Sequence, residues 1–248
     1  MTVHVINLDR DTERLARFIS VNAHVPETVR IRAVDGRMAD RNSLRTLRII
    51  SDDVTYNDGE LGCALSHIKL WRRALKDQSV VTIVEDDAIL ARNFRSAQES
   101  ILKELPADWG IVLWGWNFNS LVWTEIPEGV APALLKFDQD ALCENIEVFR
   151  NSHVEPSAFR LLHAFGTVGY SVSPSGAKEL LDTCLPLSSM RIVLDADGHS
   201  IPNNGIDCAM NRVYPLMKSY VCIPPLVASE NRAETSSTRV ALTEPVRR

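Results

Sequence analysis

SVVTIVEDDAIL, residues 79–90, joins an apolar run to an abrupt block of acid. Val80, Val81, Ile83 and Val84 are mostly β-branched and too few to span a membrane, the pattern of a strand buried on both faces of an α/β sheet. Glu85, Asp86 and Asp87 follow without interruption. Three carboxylates at the end of a buried strand repel one another and resist desolvation unless a positive group sits among them. A divalent cation held by oxygen ligands, its shell completed by a phosphorylated ligand, resolves that conflict. A solvated strand-to-helix turn capped by Asp87 resolves it too, and spacing alone does not separate the two.

Upstream, residues 3–8 (VHVINL) read as a first strand, with Asp9 at an N-cap position before a helix over 10–21 that carries Leu15, Phe18 and Ile19. A strand running into a helix N-terminus is where α/β folds hold phosphates, and Arg10 and Arg14 add charge there; solvated arginines on a capped surface helix fit the same residues. Residues 29–34 (VRIRAV) alternate as a second strand, closed by Asp35 and Gly36. An acid at that place meets a ribose hydroxyl in nucleotide-binding sheets, or is a plain Asp-Gly turn. After a polar, loosely helical stretch over 37–56, Asn57 and Glu60 have capping-box spacing. The helix over 60–76 carries a stripe of Leu61, Ala64, Leu65, Ile68, Trp71 and Leu75, with Glu60, Cys63 and His67 along one border. His67 is thus either a packing residue or one that looks into the acidic site.

Downstream, a helix is expected over 93–105 and a strand over 110–114. Residues 116–160 show only scattered short apolar runs and are expected to be long loops that cover a substrate. A strand over 166–173, a helix over 174–184 with proline in its first turn, a short helical segment over 206–214 and a strand over 220–223 complete the pattern. Asp207 sits near a helix start, where the dipole favours an acid. Strand–helix alternation indicates one α/β domain over 1–228 with a mostly parallel central sheet, followed by a loose polar tail over 229–248.

Composition bounds the partners. Of 248 residues, 45% are hydrophobic and 24% charged, ordinary for a protein with a core, and a net charge of −5 argues against nucleic acid as the main partner. The five cysteines are scattered, odd in number and without a C-x-x-C pair, which fits thiols in a reducing, cytoplasmic compartment. No signal peptide or transmembrane run is expected, while peripheral contact with the inner face of a membrane stays compatible.

INLDRDTER (residues 6–14), AVDG (33–36), ELGCALSHIKLW (60–71), IVEDDAIL (83–90), GTVGYSVSPSGAKELL (166–181) and a late ID (206–207) occur in an order and spacing that resembles glycosyltransferase family 25. This is the group of lipooligosaccharide and collagen β-galactosyltransferases. The resemblance runs from the first strand to about residue 226 and fails over 116–160, the region that would receive the acceptor. It implies a GT-A-type, Rossmann-like nucleotide-binding sandwich, a UDP-sugar donor, Mn2+ or Mg2+, and inverting transfer of a hexose to a saccharide, lipid-linked glycan or protein acceptor. Glu85 and Asp87 would then hold the metal, with Glu85 or Asp86 also reaching ribose or metal-bound water. Asn7, Arg10, Asp35 and Gly36 would receive the nucleotide, and Glu60 and His67 would face the donor. Asp207 is the first choice as base for the acceptor hydroxyl, with Asp195 and Asp197 behind it, and Gly166, Thr167 and Tyr170 are candidates for the sugar pocket. A metal-dependent phosphohydrolase also places acids at strand ends, but the sequence has no nucleophilic-aspartate motif and no histidine-rich cluster. A non-catalytic nucleotide-sugar-binding protein has no need for such mutually repelling acids.

Overall fold

A computed structural model describes residues 1–194 and 199–231. The first half runs β1 (Val3–Asn7), α1 (Thr12–Val21), β2 (Thr28–Arg32), a 3-10 turn (Gly36–Met38), α2 (Arg41–Thr46), α3 (Asp58–Asp77), β3 (Val81–Glu85), β4 (Ile89–Leu90), α4 (Phe94–Glu104) and β5 (Ile111–Gly115). The middle holds β6 (Leu121–Glu125), β7 (Pro132–Lys136), α5 (Gln139–Glu144), α6 (Ile146–Asn151) and β8 (Ser157–His163). Then come β9 (Gly169–Val172), α7 (Pro174–Cys184), β10 (Arg191–Val193), β11 (Ser200–Pro202), α8 (Ile206–Met210), β12 (Ser219–Ile223) and β13 (Val227–Ala228).

Nine strands form one sheet in the order β2-β1-β3-β9-β5-β12-β8-β6-β7. Its side chains alternate between two cores, as a strand's period of two requires. Ile111 and Leu113 join the core beneath α3 and α7, with Leu61, Ile68, Trp71 and Leu180; Val112 and Trp114 join the core beneath α1 and α4, with Phe18, Phe94 and Ile101. The expected α/β sandwich is therefore present, with helices on both faces. Its sheet is mixed. β1 is parallel to β2 and β3, and β5 to β12. β9 runs antiparallel between β3 and β5, and the β12-β8-β6-β7 edge is antiparallel throughout. β9 starts beside the end at which β3 stops, so it must run against it.

Several expectations shift locally. The N-cap of α1 is Asp11; Asp9 instead pairs with Arg30 and Arg32, each at 2.6 Å. Ile19 is 56% exposed, so the buried stripe of α1 narrows to Phe18. The capping box of α3 is formed as the spacing predicts: Glu60 N donates to Asn57 Oδ1 at 2.9 Å and Asn57 N to Glu60 Oε2 at 2.8 Å. Residues 116–160 are not long loops. Their β6–β7 hairpin extends the sheet edge, and its alternating burial is too weak for the period to show in sequence. Residues 229–231 are held rather than loose, with Ser229 and Glu230 buried.

Candidate active site

β1 and β3 end side by side, as parallel strands must, and the loops beyond them enclose a cleft of about 850 Å³. Ligands of open α/β sheets bind at such carboxyl ends. The first strand and its loop bring Asn7 and Arg10 to the wall, the second loop Asp35 and Gly36, and helix α3 Glu60 and His67. The acidic strand brings Glu85, Asp86 and Asp87, and α8 brings Asp207. All the site residues singled out above among those described thus meet in one cleft, apart from Tyr170. Asp195 and Asp197 lie outside the described residues.

The three acids face different surroundings. Asp86 turns toward α1, where Arg14 Nε donates to its Oδ1 at 2.8 Å, Arg14 Nη2 donates to the same oxygen, and Asn7 Nδ2 donates to Oδ2 at 2.7 Å. Asn7 is itself oriented by Arg30 Nε at 3.0 Å and by the Asp11 carbonyl at 2.9 Å. The guanidinium of Arg14, which the sequence left to either a phosphate or solvent, is thus bound to Asp86.

Glu85 accepts a hydrogen bond from Thr167 Oγ1, and burial together with the Asp87 charge pushes its carboxyl up. Asp87 accepts from Ser229 Oγ at 2.9 Å through Oδ2, while its buried Oδ1 has no hydrogen-bond partner. Burial raises this carboxyl too, against the pull of Arg14. Two carboxylates that resist ionisation, one with an unmatched buried oxygen, suit a hard divalent cation chemically.

The side of the cleft formed by the β2 loop and α3 is tightly built. Asp35 caps the 3-10 turn through Arg37 N at 3.2 Å and is gripped by the guanidinium of Arg37 and by Arg10, which hold its carboxyl far below the usual range. Gly36 lies against the start of α3 so closely that a Cβ would sit 1.9 Å from the Asp58 carbonyl oxygen. Glu60 is tied into the capping box, and burial raises its carboxyl. His67 is fully buried; its Nδ1 meets Tyr170 Oη at 2.8 Å, and that hydroxyl also accepts from Trp71 Nε1 at 2.8 Å. Tyr170 is therefore a core residue behind His67 and no part of the sugar-pocket wall.

Asp207 Oδ2 accepts from Gly166 N at 2.9 Å and so pins the loop that carries Thr167. Gly166 has φ of +93°, and a Cβ there would meet Asn117 Cγ at 2.5 Å, so this glycine is required. The sequence reading missed Asn117, Asn204, Ser229 and Asn231, polar residues of irregular segments that carry no periodic signal. Of residues 116–160, only Asn117 reaches the cleft. Gln139 and Cys143 of α5 instead hold the backbone of 229–230 from behind.

Comparison with known proteins gives one family. The model of "Glycosyltransferase family 25 (LPS biosynthesis protein)" matches residues 1–195. "Probable inactive glycosyltransferase 25 family member 3" of Bos taurus is 26% identical over 192 residues, 72% of this chain and 28% of its own length. "Lipooligosaccharide biosynthesis protein lex-1" of Haemophilus influenzae is 25% identical over 195 residues, 77% of this chain and 57% of its own. The chain thus spans about a quarter of the first relative and little more than half of the second. The solved mannose-1-phosphate geranyltransferase of Thermus thermophilus superposes with a TM-score of 0.41 at 13% identity, over 92% of this chain and 75% of that one.

Proposed function

The chain belongs to glycosyltransferase family 25, and from that premise we propose that it moves a hexose, galactose being the family's habitual sugar, from a UDP-sugar to a hydroxyl of a saccharide or glycoconjugate, with inversion. The fold in this reading is of the GT-A type. The observation that carries it is the unmatched buried Oδ1 of Asp87, which lines the cleft with Glu85. Asp87 and Glu85 would hold Mn2+ or Mg2+, whose charge neutralises the nucleoside diphosphate as it leaves. Arg10 and Arg37 line the cleft with Asp35 and Gly36 and would face the nucleotide. Asp207, in the first turn of α8, takes the proton from the attacking acceptor hydroxyl. The printed name of the Haemophilus relative favours a bacterial surface glycan as acceptor. Among the described residues no helix is long and apolar enough to cross a membrane.

A thermal-shift panel of nucleotide-sugars with and without Mn2+ tests the reading, because a ligand of the folded state raises its melting temperature by mass action. One donor should stabilise the chain only with the metal, Asp87→Ala should abolish that effect, and the same donor should be turned over with a glycan acceptor. Metal-independent transfer that survives Asp87→Ala refutes it. The bovine relative's printed name includes "inactive", and tight donor binding without transfer to any acceptor would put this chain in that state. Fast release of phosphate from simple phosphoesters without sugar transfer would mark a phosphohydrolase.

A further inference from the structure

Among the described residues, Cys63, His67 and Glu85 bring one donor atom each within 4.8 Å of one another. Two of them lie one turn apart on the same face of α3, and the third ends the neighbouring strand β3. His67 has no exposed surface, and its Nε2 has no hydrogen-bond partner; it lies 3.9 Å from Glu85 Oε1. A buried ring nitrogen left unmatched is costly unless something meets it. The other nitrogen is already fixed by Tyr170, which Trp71 holds in turn, and this is the outer shell that orients a metal-binding imidazole. Cys63 is only partly covered and lines the cleft, so an ion can reach it.

We propose that Cys63, His67 and Glu85 form a second cation site, for a thiophilic divalent ion of the Zn2+ class, and that its occupation takes Glu85 away from the hard-cation position at Asp87. A sulfur–nitrogen–oxygen set selects against Mg2+ and for Zn2+ or Co2+, whereas Asp87 offers oxygen alone. Tetrahedral zinc with bonds of about 2.0–2.3 Å keeps its ligands roughly 3.5 Å apart, so the trio needs to close by about an ångström. Coordination joins Cys63 Sγ to the ion and releases the thiol proton to solvent, without change of oxidation state. It selects the tautomer in which Nδ1–H donates to Tyr170 Oη and Nε2 presents its lone pair. The fourth position opens into the cleft. The competition at Glu85, though not the site itself, rests on the function proposed above.

The test titrates the reduced, metal-stripped chain with Co2+, whose thiolate charge-transfer and tetrahedral d–d bands report ligand type. One ion per chain should give both bands, Zn2+ should erase them, Cys63→Ser should lack the charge-transfer band, and Cys143→Ser should keep it. Should Cys63→Ser fail to fold, alkylation of the unmodified chain serves instead: Zn2+ should protect the peptide carrying Cys63. Absence of the band, its persistence in Cys63→Ser, or alkylation of Cys63 at an undiminished rate overturns the site. In a separate arm, Zn2+ should inhibit Mn2+-supported donor turnover in the wild type and not in Cys63→Ser. A wild type that binds Zn2+ yet keeps full turnover overturns the competition. A chain without any donor turnover overturns the proposed function and leaves the spectroscopic result to decide the site.

Discussion

Arg14→Gln removes the cation that shares Asp86 with Asn7 and leaves that carboxylate between two other acids. Asp86 is 9% exposed and Arg14 26%, so the pair is largely but not wholly shielded from water. Removing one member of a fully buried pair costs about 3–5 kcal/mol, and a single charge-assisted hydrogen bond contributes about 1.5–3 kcal/mol. Asp86 keeps its 2.7 Å bond to Asn7, and water reaches the vacated side, so the loss should be about 2–3 kcal/mol. For a chain of this size that lowers the melting temperature by about 5–10 °C. The assay is paired urea and thermal unfolding of metal-free wild type, Arg14→Gln, Asp86→Asn and the double variant. Neutralising Asp86 in the Arg14→Gln background should recover more than half of the loss, because the damage is the uncompensated charge. A loss below about 1 kcal/mol, or no recovery in the double variant, would show that Asp86 does not depend on Arg14.

Three further outcomes are expected. Gly36→Ala should destabilise the fold by about 1–3 kcal/mol and weaken donor-dependent stabilisation, because its Cβ meets backbone rather than a movable side chain; an unchanged melt would contradict the packing. Asp207→Asn keeps an oxygen to accept from Gly166 N but cannot take a proton, so donor binding by thermal shift should persist while transfer falls on the order of 10²–10⁴-fold; equal loss of both would make Asp207 a binding residue. The third concerns pH. Glu85, raised from 4.5 to about 8 in the folded chain, contributes stability that is full below about 4.5 and lost as pH rises to about 8. His67, lowered from 6.5 to about 3, has the opposite slope but is finished by about 6.5. Between pH 6.5 and about 8 the metal-free melting temperature should therefore fall, and Glu85→Gln should flatten that fall. Parallel profiles for the two proteins would remove Glu85 as the cause.

What the sequence made legible follows from periodicity and local chemistry. Helix α3 could be read because its apolar stripe and the Asn57–Glu60 box agree, and the same pattern placed Glu60, Cys63 and His67 on one edge. β3 could be read because it is buried on both faces and ends in charge. The β6–β7 hairpin could not, since alternate residues of β7 remain exposed and the hydrophobic pattern fades. Nor could the division of labour among the three acids be read. Asp86 is neutralised by Arg14, 72 positions away, and Asp87 is hydrogen-bonded by Ser229, 142 positions away. Asp9 misled for the same reason: cross-strand arginines outcompeted the helix end for its carboxylate.

Those separations govern the order in which the molecule comes together. On a ribosome, residues 85–87 are made well before Ser229, so for that interval Asp87 has no hydroxyl to orient it, and Gln139 and Cys143 of α5 have no backbone to hold. Contacts between distant positions form late, because long-loop closure is entropically costly. Nascent chains arrested before position 229 should therefore leave Asp87 unoriented, and the metal position proposed above should form only once Ser229 is in place.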